Sequence, residues 1–101
     1  MKSFGDLMKQ AQKVQKQMAE MQEKLADERF EASAGGGAVR AVVDGKQHLK
    51  ELKITPEALK DGDATLLEDL ILAAVSEAQR SAEARMTETL GKLTGGFPLP
   101  F

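Results

Sequence analysis

A chain of 101 residues with 42% hydrophobic and 30% charged residues fits one folded domain and leaves no room for separate catalytic and regulatory domains. The absence of cysteine excludes disulfides, thiol chemistry and thiolate zinc sites, and four Phe without Trp or Tyr leave a core of Leu, Val, Ile, Met and Ala. A net charge of −2 counts against a nucleic-acid binder on its face, so only the distribution of charge can support such a reading.

The first predicted element is a helix over residues 3–27. Phe4, Leu7, Ala11, Val14, Met18, Met21 and Leu25 alternate at steps of three and four, the coiled-coil-like spacing of a helix that packs along one narrow stripe. Ser3 suits the N-cap, and Asp6 suits the positive end of the helix. Lys2, Lys9 and Lys16 repeat every seventh position opposite the seam, with Lys13 beside them. At 1.5 Å per residue the rod measures about 37 Å, more than a small domain can cover, so part of it is expected to project. Its lysine and glutamine interruptions exclude a secretion signal, and no stretch in the chain reaches the roughly 20 apolar residues of a membrane span. No membrane partner is expected.

Between residues 28 and 54 the period changes to two. Phe30, Ala32 and Ala34 alternate with Arg29, Glu31 and Ser33 as a strand, and Gly35-Gly36-Gly37 permits a turn of unusual geometry. A second strand is expected over residues 38–43, ended by the hairpin signal Asp44-Gly45, and a third over residues 47–54. Leu49 is out of phase with Leu52 and Ile54, which predicts a bulge near Lys50-Glu51. Thr55-Pro56 starts a single helical turn, and Asp61-Gly62-Asp63 breaks it. Thr65-Leu66-Leu67-Glu68 reads as a capping box for a second long helix over residues 64–92. The stripe of that helix is Leu67, Ile71, Ala74, Ala78 and Ala82, and its alanines suggest close approach of another helix. The chain thus divides into one α-β-β-β-α domain over residues 1–94 and an extended Gly/Pro/Phe tail over residues 95–101. The fold class is α+β: long helix, three-stranded antiparallel meander, short helical turn, long helix. Three strands and two long helices leave apolar surface unpaired, so a homodimer is expected, joined through sheet edges or crossing helices.

No catalytic centre emerges. His48 is the single histidine and has no evident carboxylate partner in the sequence. The triple glycine continues into a strand rather than into the Lys-Ser/Thr and helix of a phosphate loop. Asp61, Asp63 and Glu68 lack the full calcium-loop pattern. No enzyme activity, cofactor, metal or small-molecule substrate is expected.

The charge distribution points elsewhere. Residues 1–16 hold four Lys against Asp6, a local +3, whereas residues 57–77 hold six acids against Lys60, a local −5. Screening over about 8 Å at physiological salt lets a basic tip act independently of a distant acidic region. If the long helices run antiparallel, Arg80, Arg85 and Lys92 approach the lysine-rich start of the first helix, so that both sets meet at one tip. Lys and Arg of this kind contact duplex phosphates with little sequence information, and the chain has few groups for stacking on single strands. The alternative reading is a protein-interaction module whose helical arms, with Met18 and Met21 as adaptable contacts, grip a protein partner.

The chain resembles the YbaB/EbfC family of bacterial nucleoid-associated DNA-binding proteins. The match is carried by Leu7-Met8-Lys9-Gln10-Ala11-Gln12, by Val39-Arg40-Ala41-Val42-Val43-Asp44-Gly45, and by Leu52-Lys53-Ile54 with Pro56 following. Leu67-Glu68-Asp69-Leu70-Ile71-Leu72-Ala73-Ala74 and the ending Gly96-Phe97-Pro98-Leu99-Pro100-Phe101 continue it in order. The resemblance implies a tweezer-like dimer with strands in the central body and paired long helices as arms. It also implies duplex DNA binding in the bacterial cytoplasm, at the nucleoid, with a role in nucleoid organisation and gene regulation. By position, Lys9, Lys13, Lys16, Arg80, Arg85 and Lys92 would be the contacts.

Overall fold

The computed structural model describes residues 3–60 and 62–93, and Lys2, Asp61 and the Gly/Pro/Phe tail lie outside that range. Along the chain run α1 (Phe4–Asp27), β1 (Arg29–Ala34), β2 (Val39–Asp44), β3 (Leu49–Ile54), α2 (Pro56–Lys60) and α3 (Ala64–Leu93). The α+β architecture is the expected one, and the strands form an antiparallel sheet in the order β1-β2-β3. Ser3 caps α1 by accepting from the Asp6 N–H at 3.2 Å. The β1–β2 loop places Gly35, Gly36 and Gly37 at φ values of 66°, 67° and 96°, a left-handed run that residues with a Cβ rarely enter. In the β2–β3 ladder Val42 faces Glu51 and Val43 faces Leu49, so Lys50 is the extra residue of the expected bulge.

The core follows from this order. β2 is the central strand, and Val39, Ala41 and Val43 on it are fully buried. α3 lies across β1 and β2, and its buried residues Ala74, Ala78 and Ala82 meet that sheet. Ala74 joins Val39 and Ala41, with Leu67, Leu70, Ile71 and Ile54 around them. Ala78 and Ala82 join Val43, with Phe30 and Ala32 alongside. The alanine stripe therefore seats α3 on the sheet rather than on another helix. A residue without bulk beyond Cβ suits close approach to any flat surface, and the stripe alone does not say which. Apart from Ile54, β3 lies outside the footprint of α3, which leaves Leu49 and Leu52 exposed.

The start of α3 also differs from expectation. Asp63, not Thr65, is the capping residue: its Oδ1 accepts from the Leu66 N–H at 3.0 Å. Asp63 is three residues before Leu66 and lies outside the helix, as a cap requires, whereas Thr65 already has helical geometry. Asp63→Ala is accordingly expected to lower stability by about 1 kcal/mol and Thr65→Ala by far less, as read from denaturant midpoints.

α1 meets the body only at its carboxy-terminal end, where Leu25 is its single buried residue. The molecule measures 70 × 22 × 16 Å with a radius of gyration of 19.4 Å. A compact domain of this size would have about 13 Å, so the first helix is a projecting arm. No helix among the described residues is long and apolar enough to cross a membrane.

Candidate nucleic-acid interface

The arm is helical because its apolar and polar positions keep helical spacing for 24 residues without an internal break. Lys9, Lys13 and Lys16 occupy one side of it, at the i, i+4, i+7 spacing that brings side chains onto a common face. All three are exposed, and none has a carboxylate within ion-pair distance among the described residues. The free N–H groups at the start of α1 add partial positive charge at the same end of the arm. Phe4, 77% exposed, and Leu7 and Val14 leave the seam of the arm open along its outer half, with Met8 exposed beside it.

The basic residues of α3 are arranged differently. Arg80 pairs with Glu77 at 2.6 Å. Arg85 bridges to Glu28 at the end of α1 at 3.4 Å and to Glu88 at 3.6 Å. Lys92 reaches Glu88 at 3.3 Å. The hydrogen bond and charge of Lys92, with help from Arg85, hold the Glu88 carboxyl below the usual carboxylate range. Exposed pairs of this kind contribute little to stability, yet each leaves its cation partly neutralised.

The two long helices run antiparallel as they leave the sheet. Arg85, Thr89 and Lys92 share a cleft of about 440 Å³ with Gln17, Met21 and Leu25. Lys92 thus stands beside the second half of α1, and Arg85 sits at its root. Counting back from Gln17 to Phe4, the arm extends about 20 Å further. The fold brings Arg85 and Lys92 to the base and middle of the arm and leaves Lys9 and Lys13 on its outer half, so the six basic residues of the expected set that are described do not gather at one point. They form a discontinuous row, with Lys16 nearest the junction of the two groups and Arg80, itself exposed, furthest from the outer end of the arm.

Asp44 is the residue that reasoning from sequence missed. It reads as half of a hairpin signal, yet its side chain is 2% exposed. Its Oδ1 accepts from the Lys46 and His48 N–H groups at 2.8 and 3.0 Å. His48 Nδ1 and Lys50 Nζ lie 3.5 and 3.7 Å from Oδ2, so the carboxylate partner absent from the local pattern of His48 is Asp44. Burial pushes the Asp44 carboxyl up, but the two backbone donors and the His48 and Lys50 charges outweigh it and hold the group below its ordinary value. The usable signal is an Asp with backbone N–H groups two and four residues ahead, the spacing of a side-chain-closed turn. His48 itself is 69% exposed. Among the described residues no group of three His, Cys, Asp or Glu side chains could hold a metal ion.

The sequence profile of the YbaB/EbfC DNA-binding family matches residues 1–97. A nucleoid-associated protein of Clostridium acetobutylicum is 46% identical over 98 residues, which cover 97% of this chain and 88% of that protein. One from Acetivibrio thermocellus is 48% identical over 95 residues, covering 94% of this chain and 84% of its own length. The crystal structure of an uncharacterized protein from Helicobacter pylori superposes with a TM-score of 0.83 over 93% of this chain and 99% of that one. At 19% identity, that protein shares the fold.

Proposed function

This chain belongs to the YbaB/EbfC DNA-binding family, and from that premise we propose that it works as a homodimer that contacts duplex phosphates through the lysines of its projecting arms. The observation that carries the reading is the unpaired row Lys9, Lys13 and Lys16, set on the half of α1 that extends past the cleft it shares with α3. Charges aimed at phosphates fix position along the duplex without reading base edges, so sequence preference is weak. The α3 residues Arg80, Arg85 and Lys92 are secondary contacts, because each must first give up part of a carboxylate partner.

The dimer is supported by the open seam. Phe4, Leu7 and Val14 face solvent in the single chain, and β1 and β3 each keep one free edge. Pairing arm to arm or edge to edge would cover that surface. Two arms on one duplex raise affinity through effective concentration. Names borne by the relatives support nucleoid association, hence action in the bacterial cytoplasm on nucleoid organisation and gene expression. No small-molecule substrate and no chemical step enters this reading.

The test is a binding titration on two unrelated duplexes between 50 and 200 mM salt, beside a mass measurement. The expected mass is twice the 10.9 kDa chain. Six arm lysines per dimer predict that log Kobs falls with log salt at a slope of about −5, with similar affinity for both duplexes. Salt-independent binding, or a monomer that binds as tightly, would overturn the proposal.

A further inference from the structure

The root of the arm is built more tightly than its length requires. Gly45 N–H donates to the Leu25 carbonyl at 2.7 Å, joining the turn after β2 to the last turn of α1. A Cβ on Gly45 would stand 2.4 Å from the Leu25 oxygen and 2.9 Å from its carbonyl carbon and Cα, all backbone atoms that cannot swing aside. Gly45 is not among the residues with positive φ, so the glycine is not needed for its own conformation. It is needed because one backbone lies directly on another.

The turn that delivers Gly45 is itself held from several sides. The buried Asp44 carboxylate gathers the Lys46 and His48 N–H groups, while Asp44 N–H donates to the His48 carbonyl at 2.9 Å and Gln47 N–H to the Asp44 carbonyl at 3.0 Å. The bulge residue Lys50 brings its ammonium to the same carboxylate. On the helix side, Leu25 O also accepts the Glu28 N–H, Arg29 donates to the Ala26 and Glu28 carbonyls, and Arg85 holds the Glu28 carboxylate. The last turn of α1 is therefore gripped between the β2–β3 turn and α3.

We infer that Asp44 and Gly45 are positioning residues for DNA binding: they set the angle at which α1 leaves the sheet, and so where Lys9, Lys13 and Lys16 stand. The inference rests on the reading of those lysines as the phosphate contacts. The arm amplifies small errors at its root. Lys9 lies about 24 Å along the helix from Leu25, so a tilt of about 10° displaces it by about 4 Å. That exceeds the roughly 3.4 Å spacing of charges along one DNA strand, enough to break the register between two arms and one duplex.

The chain lacks cysteine, so Gln10→Cys and Ser76→Cys, both at exposed positions, take spin labels that report the distance from arm to body. Doubly labelled chains are diluted into excess unlabelled protein so that one subunit per dimer is read. With Gly45→Ala the distance distribution is expected to shift or broaden by several ångströms while far-UV helicity is retained. Affinity for duplex is expected to fall about tenfold as the two arms cease to engage together. A merely structural turn would lower the melting temperature and leave the distance among folded molecules unchanged. If Gly45→Ala does not fold, Asp44→Asn decides: it keeps an acceptor for the backbone donors but sets an amide against Lys50 and His48, and a smaller broadening is expected. An unchanged distance, or a changed distance with unchanged affinity, overturns the inference. The parallel variant Lys9→Glu/Lys13→Glu/Lys16→Glu separates the two claims. If it binds like the parent, the lysine reading fails, and a shifted distance in Gly45→Ala then supports a joint without a role in DNA binding, which also overturns the inference.

Discussion

Replacing Lys9, Lys13 and Lys16 together by glutamate is expected to abolish detectable duplex binding while leaving the dimer and its helicity intact. Glu and Lys have similar helix propensity, and the three side chains have no partner among the described residues to lose, so the arm keeps its structure. Each subunit gives up three phosphate contacts and gains three repelled charges. The expected loss is at least about a hundredfold in affinity near 50 mM salt, and the salt slope should shrink by about 5 for the dimer. The change in net charge is the same in Lys46→Glu/Lys53→Glu/Lys60→Glu, which places the reversals on the body. That control should bind within a few-fold of the parent by gel shift. Equal loss in both variants would mean that overall charge, not the arm, governs binding. Neutralising Arg80 or Lys92 alone should matter less than any of the arm lysines, since Glu77 and Glu88 already share their charge.

The largest expected effect on stability comes from Ala78→Leu. Ala78 has no exposed surface and lies against Val43, with Phe30 and Ala32 beside it. Close-packed interiors accept extra methylenes only by shifting backbone or forcing rotamers, at about 1–3 kcal/mol and sometimes more. For a domain of this size each kcal/mol lowers the melting temperature by roughly 4–8 °C, so a fall of about 10 °C is expected. Ala73→Leu, five residues earlier on the exposed side of α3, should be close to neutral. Melting both at equal protein concentration keeps dimer dissociation from confounding the comparison. Matching transitions for the two variants would show that the stripe is not the tight seam between α3 and the sheet.

Much of the architecture is legible from local pattern. The 3.6-residue period of α1 and α3, the two-residue period around Phe30, and the Leu49 phase break that marks the bulge are all relations between near neighbours in the chain. So is the left-handed triple glycine. One local reading failed, and another was right about its turn but silent about what its glycine meets. The capping box at Thr65 is a real pattern, but the helix begins one residue before Thr65, so Asp63 outside it is the cap and accepts from the Leu66 N–H. The hairpin signal Asp44-Gly45 does sit at a turn, yet its glycine is there for Leu25, which no spacing within the hairpin could reveal.

The candidate site divides along the same line. Lys9, Lys13 and Lys16 can be picked out from sequence because a helical wheel alone places them opposite the apolar seam. Arg80 and Lys92 are tied to Glu77 and Glu88 at the three- and four-residue spacing of one helix, which the sequence carries, whereas the tie of Arg85 to Glu28, 57 residues away, is decided by how α3 lies beside α1.

By itself, the sequence determined the order and type of the elements, the amphipathic arm with its basic side, and the absence of thiol chemistry. These depend on residue identity and on periods of a few residues. Only the tertiary structure decided that the alanine stripe seats on the sheet, that Asp44 is buried, and that Gly45 touches Leu25. It also decided that the basic residues form a broken row instead of a single tip. Each of those facts is a contact between segments far apart in the chain, set by the packing of α3 across β1 and β2 and by the closing of the β2–β3 turn on the end of α1.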